Sequence, residues 1–270
     1  MLYAREKTIA LTCEVATNLF YKIFPRPIAL AFSLIEKLYL ALYKNTPTMV
    51  ISESTRLDLI KTGYNERVII VIPMGLTLPN NLKLETKEKN PTLISVGRLN
   101  IQKGTISILE AFSKIHDSFP NANLWLVGSA TSEFRKEIEN MLISEKIKNK
   151  VRLWGFVSER EKFSLMARAH ILISASAQEG WGLTVPEAGF VNTPSVVYNI
   201  PGFRDIIIQN KTGILVNSNP NDLAKETIGL LQDDKKYKSV QVAGQNHSKK
   251  YSWDKTAEVA LQFIKSQIKT

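Results

Sequence analysis

Cysteine is nearly absent from this 270-residue chain: Cys13 stands alone, so no intramolecular disulfide can staple the fold. Its apolar surroundings predict a buried thiol, in keeping with a cytosolic compartment. Long apolar runs are missing as well. No segment reaches the roughly 18 consecutive apolar residues of a membrane span. Residues 28–43 come nearest, and Glu36 and Lys37 interrupt them. That stretch reads as an amphipathic helix packed on a domain, with Lys and Arg too sparse there for a firm surface anchor, so any membrane contact is peripheral. The first residues carry no signal-peptide pattern. Histidine is scarce: His116, His170 and His247 fall far apart in different elements, no metal-ligand set is visible, and no metal is expected. There is no internal repeat and no signature of a nucleic-acid module, so nucleic acid is not an expected partner.

What the chain does have is positive charge and alternation. Lys and Arg exceed Asp and Glu by 35 to 25, a formal charge of +10 with a pI near 9.5. Such a balance suits a phosphorylated substrate or an anionic surface, although scattered Lys reads mostly as a solvated exterior. The length suffices for two modest domains. Residues 1–46 are mostly helical in pattern, broken at Pro25 and Pro27. Thr48-Met49-Val50-Ile51-Ser52 reads as a strand, residues 54–62 as a helix stopping at Gly63, and Val68-Ile69-Ile70-Val71-Ile72 as a second strand. Residues 1–78 therefore form a partial first domain with two strands. Residues 79–91 are polar and aperiodic, which reads as a linker. From residue 92, apolar runs near 92–96, 122–127, 151–153, 170–174, 195–197 and 213–216 alternate with helical patterns. That alternation predicts a doubly wound parallel α/β sheet over 92–250, with ligands beyond the carboxyl ends of its strands. Residues 251–270 form a last helix.

The organising stretch is Ala177-Gln178-Glu179-Gly180-Trp181-Gly182-Leu183-Thr184-Val185-Pro186-Glu187-Ala188, which follows the apolar run 170–174. Thr184 and Glu187 have capping-box spacing, and Pro186 is tolerated in a first helical turn. Two glycines let the backbone approach a ligand, and free N–H groups at the helix start favour a phosphate. Glu179 and Glu187 flank that anion site and can accept hydroxyl protons. The bland reading of Glu187, a capping residue, is compatible with this one.

Other motifs lie at strand ends. Gly97-Arg98-Leu99 closes the first strand of the second domain, and Lys103-Gly104-Thr105 opens the next helix. Arg and Lys offer a fork and a point charge to a diphosphate. Lys precedes Gly here, unlike in a P-loop. Alone, the two side chains would more often face solvent. Trp154-Gly155-Phe156-Val157 closes another strand ahead of a Ser158 cap, with Trp154 and Phe156 expected in the core. Pro201-Gly202-Phe203-Arg204-Asp205 reads chiefly as a turn and helix start.

In this order the motifs resemble those of the retaining glycosyltransferases of family 4, which have the GT-B fold. The resemblance rests on Glu-x7-Glu in the form EGWGLTVPEA, on Gly-Arg-Leu…Lys-Gly, on Gly-x-Val and on Pro-Gly-x-x-Asp. It implies a complete C-terminal Rossmann-like donor domain after a partial N-terminal Rossmann-like one, with the last helix crossing back to the first domain. It further implies transfer of a sugar from a nucleotide-diphosphate donor to a glycan, lipid or other acceptor, with retention, without a metal, in the cytoplasm or at the inner face of its membrane. By that match Arg98, Lys103 and Glu179 are the expected catalytic residues. Gly97, Arg98, Lys103, Val157, Glu179, Gly180, Gly182, Leu183 and Glu187 are the expected donor-binding set. Glu179 falls near the sugar hydroxyls, Glu187 near the ribose hydroxyls, the amides around Gly182 and Leu183 at the diphosphate, and the Val157 backbone at the base. Family members usually carry roughly a hundred further residues in front, about the size of an ordinary domain segment. An alternative is therefore a donor-binding half that is inactive without a separately encoded N-terminal domain. A sugar-nucleotide epimerase of the same fold is a third reading, disfavoured by the combined motifs.

Overall fold

A computed structural model of the chain describes residues 7–80, 82 and 85–268. Two compact units are present: residues 1–75 with 251–270, and residues 76–250.

The first unit is built on three parallel strands. β1 (Ala10–Thr12) leads to α1 (Thr17–Ile23) and α2 (Arg26–Tyr43); β2 (Thr48–Val50), α3 (Glu53–Lys61) and β3 (Ile69–Val71) follow. The sheet order is β1-β2-β3, with Thr48 opposite both Ala10 and Ile69. β1 is a correction: helix was expected here and only two strands in the unit. Three residues are too few for a period to declare itself, so the strand is defined by its partner and not by its own pattern. Cys13, just past β1, is exposed and not buried as expected; its backbone carbonyl is what the fold uses, accepting from Thr55 Oγ1 at 3.1 Å.

Leu40, Val50, Leu59 and Tyr64 form the core of this unit. Thr48 and Tyr64 share a buried hydroxyl–hydroxyl bond of 2.7 Å, and Ser52 caps α3 by accepting from Thr55 N at 3.1 Å. Glu36, the charge that interrupts the apolar run, ties α2 to the start of α1: its Oε1 accepts from Ala16 N at 2.7 Å, and its Oε2 from the Thr17 hydroxyl. α2 turns Ala29, Ser33 and Leu40 inward. Leu30, Leu34, Ile35, Leu38 and Leu42 of the same helix are exposed.

The second unit is a larger sheet. Its elements are β4 (Thr92–Val96), α4 (Thr105–Ser118), β5 (Asn123–Val127), α5 (Ser132–Ser144), β6 (Val151–Gly155), α6 (Glu159–Arg168), β7 (Ile171–Ser174), α7 (Thr184–Phe190), β8 (Ser195–Tyr198), α8 (Pro201–Arg204), β9 (Ile214–Val216), α9 (Pro220–Gln232) and α10 (Asp234–Ser248). The strand order is β6-β5-β4-β7-β8-β9, every pair parallel. The strands are continuous apolar runs because helices cover both faces: Leu93, Ile94, Leu124, Leu126, Ile171 and Val196 are almost wholly buried. Thr131, Ser158 and Asn219 cap α5, α6 and α9 with their side chains. The chain winds outward to β6, then crosses to the other side of β4 to form β7. The order reverses between β4 and β7, and such a switch point opens a crevice at the carboxyl ends of the two strands.

The stretch expected as a linker is, from Lys87 onward, fastened to this second unit. Lys87 Nζ donates to Ala169 O and Thr193 Oγ1 at 2.6 Å each, and Glu88 accepts from Arg168 Nε at 2.8 Å. α11 (Trp253–Ile268) closes the chain within the first unit, where Thr256 Oγ1 donates to Pro73 O at 2.7 Å. Among the described residues no helix is long and apolar enough to cross a membrane.

Candidate functional site

The loops at the switch point carry the motif residues. After β4, Gly97, Arg98 and Leu99 lead into a turn in which Asn100 Oδ1 accepts from Lys103 N at 2.8 Å. After β7, residues 175–183 lead into α7, and Ala177 N donates to Gln102 O at 2.8 Å, which locks the two loops together. The side-chain consequence is an ion pair across the switch point: Lys103 Nζ lies 2.6 Å from Glu179 Oε1. Ser176 Oγ donates to the same oxygen at 2.7 Å. Gly97 lies under the Lys103 stem, for a Cβ there would stand 3.9 Å from it. Arg98 is exposed and makes no hydrogen bond or ion pair with any described residue. The loops at the switch point thus carry one braced cation, one unengaged guanidinium and a carboxylate whose Oε2 takes no hydrogen bond from the described residues.

Glu187 stands apart from that pair. It is buried in the first turn of α7, and its Oε1 accepts from Lys162 Nζ of α6 at 2.9 Å. Lys162 also meets Glu159 Oε2 at 2.8 Å. Burial pushes the Glu187 carboxyl above the usual carboxylate range, and Lys162 pulls it back part of the way. For Lys162, burial works against the ammonium, but Glu187 and Glu159 outweigh it and raise its pKa.

The capping box is corrected here. The left-handed turn at Gly182 (φ 68°) delivers the chain to Leu183 already in helical conformation, so Leu183 takes the cap position and no side chain caps α7. Thr184 is the first helical residue, and Glu187 turns to Lys162 instead of back to the helix start. Phe156 is a second correction. It is 89% exposed at the end of β6, whereas Trp154 packs edge-on against Trp125 beneath the Arg152 guanidinium. Val157 is half-buried and lies at the end of the edge strand β6, two strands from β4, outside the Lys103–Glu179 cluster.

The Pro-Gly motif has more to do than turn the chain. Pro201 and Gly202 start α8, and a Cβ on Gly202 would collide with the Glu179 backbone. Phe203, fully buried, sits under Gly182, so α8 braces the loop from Glu179 to Gly182 from below. Two contacts of the Glu179 and Glu187 carboxylates are not legible from the motifs. Lys162 is the i+3 partner of Glu159 on α6, a spacing that says nothing of Glu187, and Ser176 precedes Glu179 by three residues in a loop with no period. Among the described residues no three His, Cys, Asp or Glu side chains cluster as a metal site would require.

This parallel sheet with its switch point has the architecture of GT-B proteins, and the comparisons agree. The profile of the family described as "Glycosyl transferases group 1" matches residues 80–247, well over half of the chain. The chain belongs to that family. An uncharacterized glycosyltransferase of Methanocaldococcus jannaschii is 27% identical over 244 residues, covering 84% of this chain and 62% of its own. The trehalose synthase of Thermococcus litoralis is 24% identical over 196 residues, 65% of this chain and 47% of that one. The chain spans about half the length of the curated relatives it matches. Among solved structures, Anabaena HepE in complex with UDP and glucose superposes with a TM-score of 0.81 at 17% identity, over 97% of this chain and 72% of that one. The sucrose-phosphate synthase of Thermosynechococcus elongatus gives 0.82 at 18%, over 99% and 69%. At these identities the superpositions carry the GT-B fold and no more.

Proposed function

We propose that this chain holds the nucleotide-sugar site of a retaining, metal-independent glycosyltransferase of family 4. The observation that carries the reading is the Lys103–Glu179 pair braced across the switch point, with Arg98 unengaged on the same loop as Lys103. In the transfer, the bond between the anomeric carbon and the donor diphosphate breaks and its electron pair leaves on the diphosphate. The acceptor hydroxyl oxygen bonds to the anomeric carbon, and its proton ends on the diphosphate oxygen. Charge therefore grows on the leaving group, where a preorganised cation is most effective. Arg98 and Lys103 supply two, in place of a metal. Glu179 Oε2 and Glu187 Oε2 are left to accept hydroxyl protons from the sugar and the ribose. Gly180, Gly182 and Leu183 bring backbone to the diphosphate, and Val157 backs the base. The UDP bound to HepE makes UDP-sugars the first donors to try. The acceptor is a glycan, lipid or other hydroxyl compound, and the unpaired Cys13 suits a reducing, cytoplasmic setting.

Calorimetry of UDP-glucose and other nucleotide sugars against the wild-type chain and Arg98→Ala tests this reading. A charge-assisted hydrogen bond lost from a diphosphate should weaken binding about ten- to hundredfold. Equal affinity in the two proteins would refute it.

A second reading, a donor-binding half completed by a separate N-terminal polypeptide, is favoured by one observation. The outward face of α2, with Leu34, Ile35 and Leu38 more than half exposed, is an apolar surface. Donor binding without hydrolysis or transfer to any acceptor would support it, and turnover by the 270-residue chain alone would rule it out.

A further inference from the structure

Both site carboxylates are held by a lysine through Oε1, yet the two lysines differ. Lys103 belongs to a recognised motif. Lys162 belongs to none, although it is one of the best-enclosed charges of the second unit: its side chain is 13% exposed and that of Glu187 10%. It lies between two carboxylates of α6 and α7, 2.8 Å from Glu159 and 2.9 Å from Glu187. Glu159 is 63% exposed, so a simple surface pairing would have needed no buried lysine. The Glu187 carboxylate has no other charged neighbour acting on it than these two groups of α6 among the described residues. The β8 strand beside α7 is Ser195-Val196-Val197-Tyr198, without charge. On the other side, α10 meets the end of α7 through amides: Gln241 Nε2 donates to Asn192 O and Gln245 Nε2 to Phe190 O.

We propose that Lys162 is a positioning residue for the donor: it holds Glu187 ionised, with Oε2 left to accept from the vicinal hydroxyls of the nucleotide ribose. The inference rests on the nucleotide-sugar reading of the site. Lys162 touches no substrate; it occupies Oε1 and leaves Oε2 for the ligand. Removing the ammonium leaves a buried carboxylate with only like charge nearby, and such a group takes up a proton at neutral pH. A protonated Glu187 turns from acceptor into donor, and the ribose hydroxyls lose their partner.

The test uses UDP and its analogue lacking both ribose hydroxyls, with calorimetry from pH 6 to 9 on the full chain. The wild-type protein should prefer UDP about ten- to hundredfold, as expected for hydrogen bonds to a charged group, with little change over this range. Lys162→Met should bind the two ligands equally at pH 7 and recover its preference for UDP as pH rises and Glu187 ionises. Lys162→Arg should keep the preference. Glu187→Gln, neutral at every pH, should lack the preference throughout, and it serves if Lys162→Met does not fold. A Lys162→Met protein with wild-type preference and a flat pH profile would overturn the proposal. So would equal losses for both ligands at every pH, which mark a merely structural lysine. A wild-type chain that binds UDP without any preference for the ribose hydroxyls overturns this inference alone. A wild-type chain that binds no nucleotide overturns the donor-site reading and the inference with it.

Discussion

Leu126 and Leu38 are both leucines on regular elements, but Leu126 is fully buried in β5 and Leu38 is 65% exposed on α2. The contrast runs through the two units. In the second, a six-stranded parallel sheet has helices on both faces, so each apolar strand residue has a partner and the loops at the strand ends stand on a rigid base. In the first, three strands of three residues each support a helix whose outward face remains apolar. The Lys103–Glu179 and Lys162–Glu187 pairs both lie in the second unit. Preorganised charge needs a support that does not yield, and only the second unit provides one around Lys103, Glu179, Lys162 and Glu187.

The widest separation between the units should appear in truncations of equal chemistry. Leu126→Ala is expected to destabilise the second unit by about 2–5 kcal/mol, whereas Leu38→Ala should stay within roughly 0.5 kcal/mol. Denaturant titration of both variants checks this, and a large loss from Leu38→Ala would mean that α2 is covered in solution. Next comes the brace beneath the site. Gly202→Ala drives a methyl into the Glu179 backbone, so it should cost about 1–3 kcal/mol and weaken UDP-glucose binding. Loss of stability with unchanged affinity would separate α8 from the site.

These effects bear on how far the sequence alone could go. The second unit is readable because its strands are buried on both faces and so appear as unbroken apolar runs, with Gly-Arg, Lys-Gly and Glu-Gly at their ends. β1 is not readable, being three residues long and defined by pairing with β2. Cys13 misled because apolar neighbours in sequence are not neighbours in space. Thr184 and Glu187 have the spacing of a capping box, yet after the turn at Gly182 the cap falls on Leu183 and the helix starts at Thr184, which leaves Glu187 to Lys162. Phe156 looked like core and is solvent-facing, since the strand ends one residue before it. Lys162 and Ser176 act across the fold, and no local pattern announces such a contact.

The smallest expected effect is a pH dependence confined to the second unit. Burial pushes the Lys87 ammonium down to about 7, below its unfolded value. Between the two values the unfolded chain holds more protons, so stability rises with pH through that window and is flat below it. From pH 7 to 9 the midpoint of the second unit should climb, and the climb should vanish in Lys87→Met. Thermal scans that resolve the two units decide it; a climb that persists in the variant would assign it to another group.

We propose that the loops after β4 and β7 receive a nucleotide diphosphate through Arg98 and Lys103. The most direct measurement is calorimetry of UDP-glucose binding to the wild-type chain and to Arg98→Ala, whose exposed side chain can be removed without touching the core. Binding should be saturable and weaken about ten- to hundredfold in the variant. Binding that is indifferent to Arg98 would contradict it.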